Sequence, residues 1–362
     1  MKTKKQILAL ALTAVFVLSL IHAAPQQKVQ AAAGSDEIRG VWVSMMDFEP
    51  LGLKDKSKAA FKKSVKTFLK TAKKYKTNAI FLHVRANDDA FWPSNTFPAM
   101  TYLSSKATPS KKASKVYAYD PLELFIDCAD DYNMEVHAYL NPYRITNEKY
   151  LDPSLAASRK RIKKAVRELL DYDIAGIHFD DYFYHATQGY VNPANPDSIY
   201  PVNISAAEKR NNVNKLVRSI YTLVHGEDLV FGISPQGNYV NDMNSGADVR
   251  TWLANSGYVD YVAPQLYWSD GSASTYYSER LDQFLRLRKG SVKLYAGLAL
   301  YKADGTGKAG DSGWGERRTN LRDQVALERS SGGNGYILFS GRFFNDTKMQ
   351  QELSNLKSYL NE

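Results

Sequence analysis

From Arg39 to the C-terminus the chain alternates short apolar runs with longer amphipathic stretches, eight of each, in an unbroken order. The apolar runs fall at 40–45, 79–84, 135–140, 176–179, 229–233, 259–264, 293–298 and 336–339. The helical patterns fall at 58–75, 121–132, 155–171, 206–224, 249–255, 276–288, 317–331 and 349–360. Strands buried on both faces read as apolar throughout, as parallel strands beneath crossover helices must. Eight strand-then-helix units predict an α/β fold of the (β/α)8 TIM-barrel type. A doubly wound sheet is the competing arrangement, but no Gly-x-Gly-x-x-Gly fingerprint follows the first run.

The ends and the cysteine count bound the rest. Residues 1–33 read as a secretory signal peptide: Lys2, Lys4 and Lys5 precede an apolar run from Ile7 to Ile21, and Ala31, Ala32 and Ala33 follow. The expectation is a secreted, extracellular or wall-associated protein whose residues 34–362 form a single domain. Losing Lys2, Lys4, Lys5 and Lys28 and no acid takes the formal charge from +9 to +5. No later run is long enough to span a bilayer, so no integral membrane segment is expected in the mature chain. Cys128 is the single cysteine, so stability rests on a core, which 44% hydrophobic composition over this length can build. The lysines of 54–76 are spread over a helical pattern and read as its solvated face, and no nucleic-acid partner is expected.

The segment Gly176-Ile177-His178-Phe179-Asp180-Asp181-Tyr182-Phe183-Tyr184 places two adjacent carboxylates at the end of the fourth run and surrounds them with aromatics. Strand C-termini are where α/β barrels carry their chemistry. Two carboxylates this close cannot both ionise cheaply, so one pKa should rise, as a general acid near neutral pH requires.

Other strand ends are polar in a patterned way. The second run leads through His83, Arg85 and Asn87 to Asp88, Asp89 and Trp92. The third leads through His137 and Tyr139 to Asn141, Tyr143 and Arg144, and the sixth to Gln265, Tyr267 and Trp268. Side chains alternate across a strand, so His83 with Arg85, His137 with Asn141, His178 with Asp180, and Gln265 with Tyr267 could face the barrel axis. Polar groups there are costly unless paired with one another or with a ligand. Guanidinium groups, amides and the aromatic faces of Trp92, Tyr143, Tyr182 and Trp268 suit the hydroxyls and apolar faces of a sugar. His83, His137 and His178 have a plainer reading as core histidines. No ligand spacing for a metal appears, and neither a metal nor an organic cofactor is expected. A serine hydrolase is disfavoured by the lack of Gly-x-Ser-x-Gly. Three excursions after strand ends, 91–119, 185–204 and 301–316, are rich in turn residues and aromatics, as cleft-building loops are.

Six ordered segments, Glu37 to Val43, His83 to Arg85, Glu135 to Arg144, Gly176 to Tyr184, Phe231 to Pro235 and Asp260 to Trp268, together resemble the bacterial glycosyl hydrolase-like family ten. The resemblance runs from about Glu37 to the C-terminus and implies an exported TIM-barrel glycosidase of the cell envelope. It implies peptidoglycan glycan, particularly strands lacking stem peptides, as substrate, and it adds Arg39 to the candidate site. Ala86 and Asp88 stand where that family has Pro and Gly, leaving Asp89 as the match to its acidic residue. A weaker similarity is to N-acetylhexosaminidases with tandem Asp at the fourth strand, which implies Asp180 as orienter of the acetamido group and Asp181 as general acid. The competing route uses Asp89 as a second catalytic carboxylate. The alternatives to wall hydrolysis are a non-catalytic glycan-binding barrel, or a hydrolase of another exported polysaccharide such as partly deacetylated poly-glucosamine.

Overall fold

The computed structural model describes residues 37–184 and 189–362; the expected signal at 1–33 lies outside them. One parallel sheet holds β1 (Ile38–Val43), β2 (Ala79–Arg85), β3 (Glu135–Leu140), β4 (Gly176–Phe179), β5 (Val230–Ile233), β6 (Tyr261–Val262), β7 and β8 (Gly335–Phe339). β7 is one pass broken at Tyr295: Lys293–Leu294 pairs with β6, and Ala296–Leu298 pairs with β8. Because β8 also pairs with β1, the two halves of β7 bring the sheet's edges together and the barrel is nearly closed. The (β/α)8 expectation is met, and each of the eight apolar runs supplies one strand.

Helices alternate with the strands where the pattern placed them: α1 (Lys58–Lys74), α2 (Pro121–Asp130), α3 (Ala156–Leu169) and α4 (Ala206–His225) cover the first half of the barrel. In α1 the buried Phe61, Val65, Phe68, Leu69 and Ala72 recur at helical spacing, while its lysines occupy the other face. α2 begins with Pro121 behind Asp120, whose side chain accepts from the backbone N–H groups of Leu122 and Glu123. A reciprocal Ser205–Glu208 capping box opens α4. Cys128 is fully buried in α2, a small apolar contributor to the core.

The barrel interior is aromatic. Phe81 stacks on His137 with centroids 4.5 Å apart, and His178 stacks on Tyr261 at 5.8 Å. Gly232 on β5 makes this possible, since a Cβ there would lie 2.1 Å from the Tyr261 ring. The loops carry structure that the turn-rich sequence concealed. Lys149–Leu151, Gly189–Asn192 and Asn195–Tyr200 form a small three-stranded sheet outside the barrel. The loop 91–119 folds back on itself, with Phe91, Trp92 and Phe97 buried. No helix among the described residues is long and apolar enough to cross a membrane.

Candidate active site

A cleft of about 370 Å3 opens at the C-terminal ends of the strands. β4 delivers both carboxylates to it. Asp180 is nearly buried: the Tyr139 hydroxyl donates to its Oδ2, while its Oδ1 accepts from the Asp181 backbone N–H (2.9 Å) and from Gln265 Nε2 (3.0 Å). Gln265 Nε2 also reaches Asp181 Oδ1 at 3.3 Å and the Ser234 carbonyl at 3.2 Å. Burial, and after it the adjoining Asp181 carboxyl, raise the Asp180 pKa well above the usual aspartate range, which favours its protonated form. The Asp181 side chain is the more exposed of the two.

Around this pair, Trp42, Tyr139, Tyr182, Tyr267, Tyr301, Phe339 and Phe343 line the walls. Trp42 is the penultimate residue of β1 and Phe339 ends β8, positions that read as ordinary core in the sequence. Asp311, 4% exposed, binds the backbone N–H of Ser269 and Trp314 Nε1, tying the β6 and β7 loops together. Beside it, Lys302 donates to the Tyr267 carbonyl at 2.7 Å. This backing holds Tyr267 and Tyr301 edge to face, 5.8 Å apart.

His83 and Asn141 face the cleft with spare hydrogen-bonding capacity. His83 Nδ1 accepts from the Met45 N–H at 3.3 Å, which leaves the proton on Nε2. Burial and the nearby Arg144 guanidinium hold the imidazole down at about 3, so it stays neutral. Asn141 Nδ2 donates to the Ala86 carbonyl at 2.8 Å. His83 Nε2 and Asn141 Oδ1 make no hydrogen bond of normal length, though the Asn141 side chain lies near enough to His83 to offset part of the fall in its pKa; this donor and acceptor suit ligand hydroxyls.

Of the expected site residues, the cleft gathers Asp180, Asp181, His83, Asn141, Arg144, Tyr182, Gln265 and Tyr267. The others stand elsewhere. Arg39 opens β1 and therefore sits at the opposite end of the barrel, paired with Glu37 at 3.1 Å and bonded to the Lys76 carbonyl. His137 and His178 do face the axis, but one layer down: Trp42 Nε1 donates to His178 Nε2 and Tyr261 OH lies 3.0 Å from His178 Nδ1. The strand register breaks between His83 and Arg85, so simple alternation fails there. Arg85 is buried beneath the β3 end, donating to the Asn141 and Pro142 carbonyls and pairing with Asp88. Asp89 Oδ1 caps a turn by accepting from the backbone N–H groups of Ala86 and Asn87, and Asn87 belongs to the same turn. Trp92 is 2% exposed and donates to Glu168, Tyr143 is fully buried, and Trp268 is half-buried against Gly237. None of Arg85, Asn87, Asp89, Trp92, Tyr143, His137, His178 or Trp268 lines the cleft.

Asp242, which no motif singled out, is another buried carboxyl in this region. Its Oδ1 accepts from the Gln236 N–H at 2.9 Å, and burial followed by Asp181 raises its pKa well above the usual range. No group of three or more metal-ligating side chains is found among the described residues.

A family model described as glycosyl hydrolase-like 10 matches residues 37–149 and 143–315. The glycosyl hydrolase YngK of Bacillus subtilis is 30% identical over 352 residues, covering 83% of this chain and 67% of its own. The glycosyl hydrolase DigH of Escherichia coli strain K12 is 26% identical over 395 residues, covering 90% of this chain and 87% of its own. Among solved structures, the PgaB (BpsB) glycoside hydrolase domain from Bordetella bronchiseptica superposes with a TM-score of 0.55 at 15% identity, covering 88% of this chain and 99% of that one.

Proposed function

This chain belongs to the glycosyl hydrolase-like 10 family and is a glycoside hydrolase, and from that premise we propose that it cuts N-acetylated glycan strands of peptidoglycan, preferentially strands lacking stem peptides. The observation that carries the reading is that the carboxylates lining the cleft are Asp180 and Asp181, adjacent and joined by one glutamine amide. Asp180 Oδ1 accepts from the Asp181 backbone N–H, burial favours the protonated form of Asp180, and Asp181 is the side chain more open to the cleft. Asp181 is thus the proposed general acid for the leaving oxygen, and Asp180 the group that orients the acetamido substituent so that its carbonyl oxygen attacks the anomeric carbon.

Asp89 is a poor second carboxylate for this cleft, because both backbone donors of its turn engage one of its oxygens and it does not line the site. A neighbouring-group route needs no further enzyme carboxylate at the reacting carbon. The aromatic walls suit the apolar faces of sugar rings, and His83 with Asn141 suit their hydroxyls. An exported enzyme fits such a substrate, consistent with the leader-like residues 1–33.

Purified glycan strands with and without their peptides, incubated with the enzyme and read by mass, test the proposal. New reducing ends from stripped strands, absent with Asp181→Asn, support it. Glycan binding without any new reducing end overturns it in favour of a binding barrel, and cleavage confined to partly deacetylated poly-glucosamine moves the substrate to another exported polysaccharide.

A further inference from the structure

The fold balances its other deeply placed guanidinium with a carboxylate. Arg85, fully buried, meets Asp88. Arg144 is the exception. It is 5% exposed and lines the cleft, yet its polar contacts are the Asn147 side-chain carbonyl and the Met45 sulfur at 3.7 Å, with its face 5.2 Å from the Tyr182 ring centre. Its Nε is buried and has no partner. A buried charge with no carboxylate partner is expensive, and the cost is recovered when an anion arrives.

A second cation stands on the same side. Arg342 also lines the cleft, donating to the Met46 carbonyl at 3.4 Å and lying 3.5 Å from Asp47. Asp47, which also accepts from Ser44 and Ser340, balances Arg342 in part, so Arg144 is the cleft guanidinium left without a carboxylate. Arg144 and Arg342 flank Met45 and Met46, giving the cleft a cationic end beside the acidic one at Asp180 and Asp181.

We propose that Arg144 anchors an anion subsite that reads a carboxylate borne on the sugar itself, and so makes the enzyme prefer acidic over neutral N-acetylated glycan. This rests on the glycan-hydrolase reading above and deepens it. The planar fork of a guanidinium matches a carboxylate, which is why the anion is taken to be one. The chemistry also gives the preference for stripped strands a physical cause. While a stem peptide is attached, the sugar's carboxyl is an amide, neutral and bulky. Once the peptide is removed, the same carbonyl becomes an anion small enough to meet Arg144.

The test is binding by the full chain carrying Asp181→Asn, followed by calorimetry so that turnover does not intervene. The probes are peptide-free peptidoglycan glycan oligomers, the same oligomers with their carboxyls reduced to alcohols, and N-acetylglucosamine oligomers of equal length. With Arg144 present, the acidic oligomer should bind about 10- to 100-fold more tightly than the reduced one, the range expected for a charged hydrogen-bonded pair. Arg144→Gln should abolish that difference while leaving affinity for the neutral oligomers within a few-fold, and Arg144→Lys should restore part of it. Equal affinity for acidic and reduced oligomers overturns the subsite without any variant being needed, as does an Arg144→Gln that weakens all three probes alike. Acid selectivity in a chain whose wild type never releases product would retain the subsite and refute the hydrolase reading; product release without acid selectivity would do the reverse.

Discussion

Gln265 Nε2 donates to Asp180 Oδ1 across 3.0 Å, linking the end of β6 to the end of β4 at the centre of the cleft. The same nitrogen reaches the Ser234 carbonyl beyond β5, so one amide ties three consecutive strand ends. Its removal should act on geometry more than on ground-state affinity. Gln265→Ala is expected to lower kcat about 10- to 100-fold with KM changed only a few-fold, since misplacing reacting groups costs rate steeply. Steady-state kinetics on peptide-free glycan strands separate the two constants. A loss confined to KM would make Gln265 a sugar contact and not the organiser of the carboxylate pair.

Trp92 and Tyr182 offer opposite outcomes from the same kind of truncation. Trp92 is buried in the 91–119 loop and donates to Glu168, which also receives the Ser94 hydroxyl at 2.6 Å. Trp92→Ala should therefore destabilise by about 3–5 kcal/mol, read as a lower denaturant midpoint, with a near-normal KM in the fraction that folds. Tyr182 lines the cleft, and Tyr182→Ala should raise KM for long strands while shifting the unfolding midpoint little. If Trp92→Ala alters KM as Tyr182→Ala does, the loop and not the barrel mouth forms the sugar platform.

Asp89 makes a prediction about stability and pH. Burial raises its carboxyl to about 6, above the value of 3.8 for an unperturbed aspartate. A group whose pKa is higher folded than unfolded binds more protons when folded, so its contribution to stability is full below about 4 and is lost as pH rises through about 6. Asp89→Asn keeps an oxygen for the Ala86 and Asn87 N–H groups and removes the titration. The melting temperature of the variant should thus gain on that of the wild type between pH 4.5 and 7.5. A difference in melting temperature that stays constant across that range would mean that Asp89 does not titrate there.

The architecture was legible because its information is local. Eight apolar runs and eight amphipathic patterns each declare an element, and helix caps such as Asp120 and Ser205 declare where helices start. The centre of the site was legible for a related reason: Asp180, Asp181 and Gln265 stand at strand ends, which a barrel gathers into one place. The register break after His83 was not legible, because nothing in His83-Val84-Arg85 distinguishes a regular pair from a bulged one, and it turned an expected sugar ligand into a strut. Aromatic residues misled in both directions. Trp92 and Tyr143 are core in loops that fold back on themselves, while Trp42 and Phe339, apolar strand residues like their neighbours, form the wall. Which face of a loop an aromatic presents depends on long-range packing. Asp242 escaped notice for the same reason, since its neighbour Asp181 lies 61 positions away in the chain.

The division of labour between Asp180 and Asp181 is the most direct test of the chemistry. Asp181→Asn preserves size and the Gln265 contact but cannot supply a proton, and general acid catalysis is typically worth about a hundred- to ten-thousand-fold in rate. Turnover of peptide-free glycan should fall by that range while glycan binding survives. Asp180→Asn should also be severe, and more so on substrates with an intact N-acetyl group than on deacetylated ones, because orientation of the acetamido oxygen is then what is lost. The Asp180 carboxyl titrates well above the usual range, so activity that depends on its proton declines as pH rises through that value. An alkaline limb in the wild-type profile of kcat/KM that disappears in the residual activity of Asp180→Asn would tie the limb to this residue. Product release by Asp180→Asn, Asp181→Asn and Asp89→Asn, each verified by its thermal unfolding curve, separates the routes. Loss in Asp89→Asn equal to that in Asp181→Asn, with no dependence on the acetamido group, would establish a two-carboxylate mechanism and reject the neighbouring-group assignment.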